Sequence, residues 1–283
     1  MSTMEPFGAR LRAAMAQRGP LCVGIDPHPQ LLSAWQLADD ADGLERFALT
    51  CVEALAEVVA VLKPQSAFFE RHGARGVAVL ERVLHEARAA GALVILDAKR
   101  GDIGSTMTAY AQAYLDQQRP LAADALTVSP YLGYESLRPA IDLAHEQGAG
   151  LFVLGLTSNA EGRLVQHARG DDGQAVAAQV VDAVRADNAA ADDLGSVGLV
   201  VGATVGDAVA ELGIDLAASR APLLAPGIGA QGAGPVELRA VFGDARSNVL
   251  PSSSREVLSA GPSVTGLRDA AARTLDSCSR ALA

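Results

Sequence analysis

The chain has 283 residues, 49% hydrophobic but only 4% aromatic, with a formal net charge of -10. That length holds one large aliphatic core or two small domains. The acidic balance argues against nucleic acid and anionic membrane as partners, while leaving room for a locally basic pocket.

Residues 5–18 carry Phe7, Leu11 and Met15 at spacing four. They read as an amphipathic helix covering one end of a barrel, in preference to a transit peptide. No signal-peptide stretch is present, and the apolar runs are too short to span a bilayer. Short β-type runs then alternate with helical patterns. The runs are 21–26, 61–69, 92–99, 125–130, 150–158, 197–204, 222–229 and 248–254. Several are nearly continuous in apolar residues, as parallel strands buried on both faces are. Helical patterns occupy 43–60, 76–90, 105–118, 136–146, 174–190, 205–212, 236–242 and 265–282. Eight such units with short connections predict an α/β fold, a single-domain (β/α)8 barrel over residues 1–283. A doubly wound open sheet is the alternative, weakened because no G-x-G-x-x-G follows the first run. The polar, glycine-containing insertion at 159–173 is a candidate lid.

In a parallel barrel, catalytic groups sit at the C-terminal ends of the strands and in the loops that follow. The first run ends in Asp26, the second carries Lys63, and the third ends in Asp97 and Lys99 with Asp102 just beyond. Asp97 and Lys99, two apart, share the face predicted to line the interior. A lone D-x-K reads as a structural ion pair with Asp102 as a helix cap; charge on the other strand ends argues for a site. Read singly, Lys63 is a snorkelling surface lysine, but its place in the middle of an apolar run points it inward; Asp26 is equally a turn former before Pro27. Residues 226–232 and Ser252-Ser253-Ser254-Arg255 end the seventh and eighth runs, where barrels build phosphate sites. Glycines there let backbone N–H groups approach an anion, and Arg255 can chelate it. The bland reading is a glycine-rich turn and a surface arginine.

Three cysteines, Cys22, Cys51 and Cys278, fit no metal spacing and imply no disulfide framework, so a reducing, cytoplasmic setting is expected. The five histidines do not cluster at metal-ligand spacing, and no metal is expected. Glu70 is left between two roles, supporting Lys63 or facing solvent. Phe68 and Phe69 read as core.

Asp97-Ala98-Lys99-Arg100-Gly101-Asp102, continuing into Ile103-Gly104-Ser105-Thr106, resembles the signature of the orotidine 5'-phosphate decarboxylase family. The Lys63-Pro64 pair, the Leu156-Thr157-Ser158-Asn159 strand end and the long loop after it resemble the larger bacterial branch. The resemblance runs from Asp26 to Arg255. It implies orotidine 5'-phosphate as the small-molecule substrate, decarboxylation in pyrimidine biosynthesis, no cofactor and a homodimer with a shared active site. By the same resemblance Lys99 is the proton donor and Asp97 faces the substrate carboxylate. Lys63 and Asp26 contact the ribose, and Asp102 and Thr106 enter the neighbouring subunit's site. Ser158 contacts the pyrimidine, and Gln231 and Arg255 clamp the phosphate.

The nearest rivals are magnesium-dependent sugar-phosphate decarboxylases or aldolases of the same barrel superfamily. They place a glutamate on strand two, where this chain has Lys63. Schiff-base aldolase chemistry at Lys99 needs a neutral amine, which the flanking carboxylates oppose. A non-catalytic phosphate-binding barrel does not account for the charged strand ends.

Overall fold

Short runs rich in Val, Leu and Ile become strands when both of their faces can be buried. The computed structural model describes residues 4–228 and 233–283, and in it these runs close into a parallel barrel. Its strands are β1 (Cys22–Ile25), β2 (Val61–Pro64), β3 (Leu93–Arg100), β4 (Ala125–Val128), β5 (Gly150–Leu156), β6 (Val197–Val201), β7 (Leu223–Pro226) and β8 (Val249–Ser253). Each pairs with the next in sequence, and β8 returns to β1 through Cys22↔Ser252 and Val23↔Ser253. The single-domain (β/α)8 barrel expected from the sequence is the fold.

The helices are α1 (Phe7–Arg18), α2 (Pro29–Ala34), α3 (Ala41–Leu55), α4 (Ser66–Glu70), α5 (Gly73–Ala89), α6 (Gly104–Leu115), α7 (Arg138–Glu146), α8 (Arg163–Gln166), α9 (Val176–Asp187), α10 (Ala208–Glu211), α11 (Pro235–Phe242), α12 (Arg255–Leu258) and α13 (Val264–Leu282). The largest departure from the sequence reading lies after β2. The run taken as 61–69 stops at Pro64, and the apolar residues beyond it form the short α4, which buries Phe69 completely. Helix α3 begins at Ala41, two residues before its expected start, because Asp40 caps it by accepting from Asp42 N and Gly43 N. The insertion at 159–173 is ordered rather than plain loop. It holds α8, and Gln166 is tied to Thr157 N and to Thr157 Oγ1.

Strand alternation divides the core in two. Val23, Leu62, Val94, Leu126 and Val153 pack outward under the helices. Cys22, Val61, Ile95, Ala125, Phe152, Val200, Leu224 and Leu250 cluster with Phe7, Leu11 and Met15 of α1. Helix α1 therefore plugs the N-terminal mouth of the barrel, with Phe7 edge-on to Phe152 at 6.0 Å between ring centroids. Gly150 makes this possible, since a Cβ there would meet the Phe7 ring at 2.3 Å. Arg10 fastens the plug by pairing with Asp124 at 2.6 Å and donating to Gly148 O at 2.8 Å.

Truncating the plug tests this account. Phe7→Ala removes a fully buried ring and is expected to cost about 3–5 kcal/mol, read as a lowered denaturant midpoint. A loss below about 1 kcal/mol would show that α1 is not part of the core.

Candidate active site

The columns of side chains facing the barrel interior change character along each strand. On β1 the column reads Cys22, Gly24, then Asp26; on β2 Val61, Lys63, Gln65. On β3 it reads Leu93, Ile95, Asp97, Lys99; on β4 Ala125, Thr127; on β8 Leu250, Ser252, Ser254. The apolar lower residues belong to the plugged inner core. The polar upper ones line a cleft of about 770 Å³ at the C-terminal ends of the strands. His28, Pro226, Gly227, Ile228, Arg255 and Glu256 also stand on its wall.

Asp97 is the hub. Lys63 Nζ donates to its Oδ2 at 2.9 Å, Lys99 Nζ to its Oδ1 at 2.5 Å, and Thr127 Oγ1 to the same Oδ1 at 3.0 Å. Burial alone would raise the Asp97 pKa; the two ammonium groups outweigh it and hold the carboxyl at about 2. Lys63 is as deeply buried, which would lower its pKa, but Asp97 and Asp26 keep it above the ordinary lysine value. The site is a chain of alternating charge across three strands.

Backbone geometry at Lys99 departs from a regular strand. Pairing of β3 with β4 shifts between Leu96 and Arg100, and Lys99 has φ +46°. A lysine in this left-handed region costs about 1–3 kcal/mol and persists only where its surroundings enforce it. Its side chain still turns into the cleft, 44% exposed, while Asp97 beneath is 10% exposed.

Asp26 and Ser254 face each other across Gly24, whose absent side chain leaves both room: a Cβ there would lie 3.0 Å from each. Asp26 Oδ1 and Ser254 Oγ are buried without a hydrogen-bond partner among the described residues. Arg255, at the start of α12, is exposed at the cleft's edge.

The remaining expected site residues fall elsewhere. Asp102 lies outside the cleft of its own chain, accepting from Ile103 N at 2.8 Å, and Thr106 is exposed on α6. Ser158 is exposed beyond β5 and does not line the cleft. Gln231 lies outside the described residues. Glu70 does not support Lys63; of its two expected readings it takes the exposed one. It accepts from Ser66 Oγ and pairs with Arg100, whose guanidinium lies 5.7 Å from the Tyr110 ring centroid. Among the described residues no three His, Cys, Asp or Glu side chains are grouped as a metal site needs.

Among the wall residues given no role from sequence are His28, Gln65 and Thr127. None of the three carries the fixed charge at a strand end that marks Asp97, Lys99 and Lys63. Parity could have found two of them: Gln65 lies two beyond Lys63, and Thr127 two beyond the inward Ala125.

Residues 19–270 match the family model of "Orotidine 5'-phosphate decarboxylase / HUMPS family". An orotidine 5'-phosphate decarboxylase of Streptomyces coelicolor is 65% identical over 95% of this chain and 96% of its own length. One from Salinispora arenicola is 62% identical over 99% of each chain. A crystal structure from Streptomyces avermitilis superposes with a TM-score of 0.95 at 62% identity, covering 99% of this chain and 97% of the other.

The charge chain has a pH signature. Asp97 titrates at about 2 when folded, below its unfolded value. Its contribution, on the order of 2 kcal/mol, is therefore complete above about pH 4 and lost as pH falls toward 2. In Asp97→Asn, unfolding free energy should fall less steeply over that window than in the wild type. Equal slopes would mean that the lysines do not hold Asp97 as an anion.

Proposed function

The chain belongs to the orotidine 5'-phosphate decarboxylase / HUMPS family, and from that premise we propose that it converts orotidine 5'-phosphate to uridine 5'-phosphate and carbon dioxide, with Lys99 as proton donor. The observation that carries this reading is the Lys63–Asp97–Lys99 chain at the floor of the cleft. The C–C bond to the carboxylate breaks, carbon dioxide leaves, and the electron pair stays on the pyrimidine carbon. Lys99 Nζ then supplies the proton to that carbon and regains one from solvent.

Asp97 cannot swing away, because its two oxygens accept from Lys63, Lys99 and Thr127. A substrate carboxylate about 4 Å from it would be raised by roughly 4 kcal/mol at an effective dielectric near 20. That is about three decades of rate. Accelerations by enzymes reach about 17 decades, so stabilisation of the carbanion by Lys99 has to supply more. Asp26 and Lys63 suit the ribose hydroxyls and Arg255, with Gln231, the phosphate, while Ser158 meets the pyrimidine only when the segment after β5 closes over the cleft. Positive charge beside Asp97 comes from Lys63, so the reading needs no magnesium and no cofactor; turnover should survive a chelator. The 159–173 segment, with Leu164 85% exposed, serves as a lid.

Asp102 and Thr106 act in the site of a second copy. They adjoin an exposed apolar patch, with Ile103 62%, Tyr131 75% and Leu132 52% accessible. Such a patch suits a homodimer interface. No helix among the described residues is long and apolar enough to cross a membrane, which fits a cytosolic enzyme on this pathway.

Loss of pyrimidine absorbance with orotidine 5'-phosphate tests the reaction directly. Lys99→Ala should lower turnover by roughly 10⁴-fold or more while uridine 5'-phosphate still binds; a near-normal rate would sink the assignment. Arg255→Ala should weaken the nucleotide far more than the phosphate-free nucleoside, and equal losses would remove Arg255 from the phosphate site. For the shared site, inactive Lys99→Ala and Asp102→Ala chains are mixed and allowed to exchange. Random pairing gives about a quarter of wild-type activity, whereas no recovery would place Asp102 outside the neighbouring site.

A further inference from the structure

We infer that Thr127 is a positioning residue for the decarboxylation: its one hydroxyl orients the Asp97 carboxylate and holds the left-handed backbone at Lys99. The inference rests on the roles of Asp97 and Lys99 proposed above.

Thr127 sits on β4, 1% exposed, inside an otherwise apolar strand. Its Oγ1 accepts from Ala98 N at 3.0 Å and from Lys99 N at 2.9 Å, and lies 3.0 Å from Asp97 Oδ1. A hydroxyl has two lone pairs and one proton. The two backbone N–H groups take both lone pairs, so the proton has one direction left, toward Asp97. Every valence of the group is directed at the Asp97–Lys99 segment of β3.

That segment is where regular pairing fails. The β3–β4 register shifts between Leu96 and Arg100, and the Lys99 backbone has φ +46°. In this irregular stretch Thr127 Oγ1 receives the N–H groups of Ala98 and Lys99, replacing ladder acceptors. The turn that carries Lys99 into the cleft is anchored by the same atom that fixes the carboxylate beneath it. Asp97 also needs an uncharged donor in this place. Lys63 holds Oδ2 from one side, and Lys99 bonds Oδ1 but must deliver its proton elsewhere. When Lys99 Nζ moves toward substrate, Thr127 remains on Oδ1 and the carboxylate keeps its orientation. Valine would fill the same space but could neither accept nor donate, so packing alone gives no reason for threonine here.

The test compares hydroxyl with methyl. Thr127→Ala and Thr127→Ser both lose the methyl group, and only the first loses the hydroxyl; Thr127→Val loses the hydroxyl and keeps the volume. Turnover of orotidine 5'-phosphate and affinity for uridine 5'-phosphate are measured for all three beside the wild type. A displacement near 1 Å at the reacting groups can cost about 100-fold. Ala and Val are therefore expected to lose about 100-fold in kcat, with KM and product affinity within about threefold. Ser is expected to stay within about fivefold of wild type, since it keeps all three bonds. If Ala or Val fails to fold, Ser still decides: a folded Ser enzyme reduced about 100-fold would assign the effect to packing and overturn the proposal. So would an Ala or Val enzyme with near-wild-type kcat. Absence of turnover in the wild type would reject the functional reading, whereas an active wild type with equally active variants would reject the role of Thr127 alone.

Discussion

Asp97 is almost wholly removed from water, and an isolated carboxylate there would cost several kcal/mol. It remains charged because ammonium groups from β2 and β3 and a hydroxyl from β4 converge on its two oxygens. The compensation works only while those strands hold their relative register. Lys63 is the deeply buried counter-charge among these partners, so the state of Asp97 depends above all on β2 and β3 keeping their register. The charge chain is both the chemistry and a constraint on the barrel that carries it.

The barrel meets that constraint by separating its two ends. Inward columns are apolar near the N-terminal mouth, where α1 seals them with Phe7 and Leu11. The same columns turn polar two to four residues later. Stability is drawn from one end and strained, polar groups are tolerated at the other. The φ of +46° at Lys99, costly in isolation, is affordable against a core of this size.

Most of the barrel was legible because buried parallel strands leave long aliphatic runs and little else does. Boundaries failed where composition does not discriminate. Phe68 and Phe69 continue the apolar run of β2, yet five residues are too few for periodicity to separate a strand from the helix α4. In the site, Asp97, Lys63 and Lys99 could be singled out because charge inside an apolar run is expensive. Thr127 could not be found that way, since a threonine in a strand is ordinary. Its role depends on a register shift and a left-handed residue on the neighbouring strand, and nothing local encodes those. Glu70 was open for a related reason: its partner Arg100 lies thirty residues away, on the strand whose regular pairing breaks. Asp102 and Thr106 are a different case, because their proposed work needs a second chain.

Decarboxylation also explains why rigidity matters more here than total charge. The reaction neither creates nor destroys charge on the substrate. One negative charge moves from the carboxylate to the adjacent ring carbon, a displacement of roughly one C–C bond, about 1.5 Å. A uniformly positive pocket would stabilise both positions alike and leave the barrier where it was. Only fixed charges of opposite sign, set close together, distinguish positions that near. In the proposed arrangement, Asp97 beside the carboxylate and Lys99 beside the carbon form such a gradient, provided neither can relax toward the other as the charge moves. Lys63 on one oxygen of Asp97 and Thr127 on the other resist that relaxation. On the proposed roles, preorganisation resides in the groups that hold Asp97 still as much as in Lys99 itself.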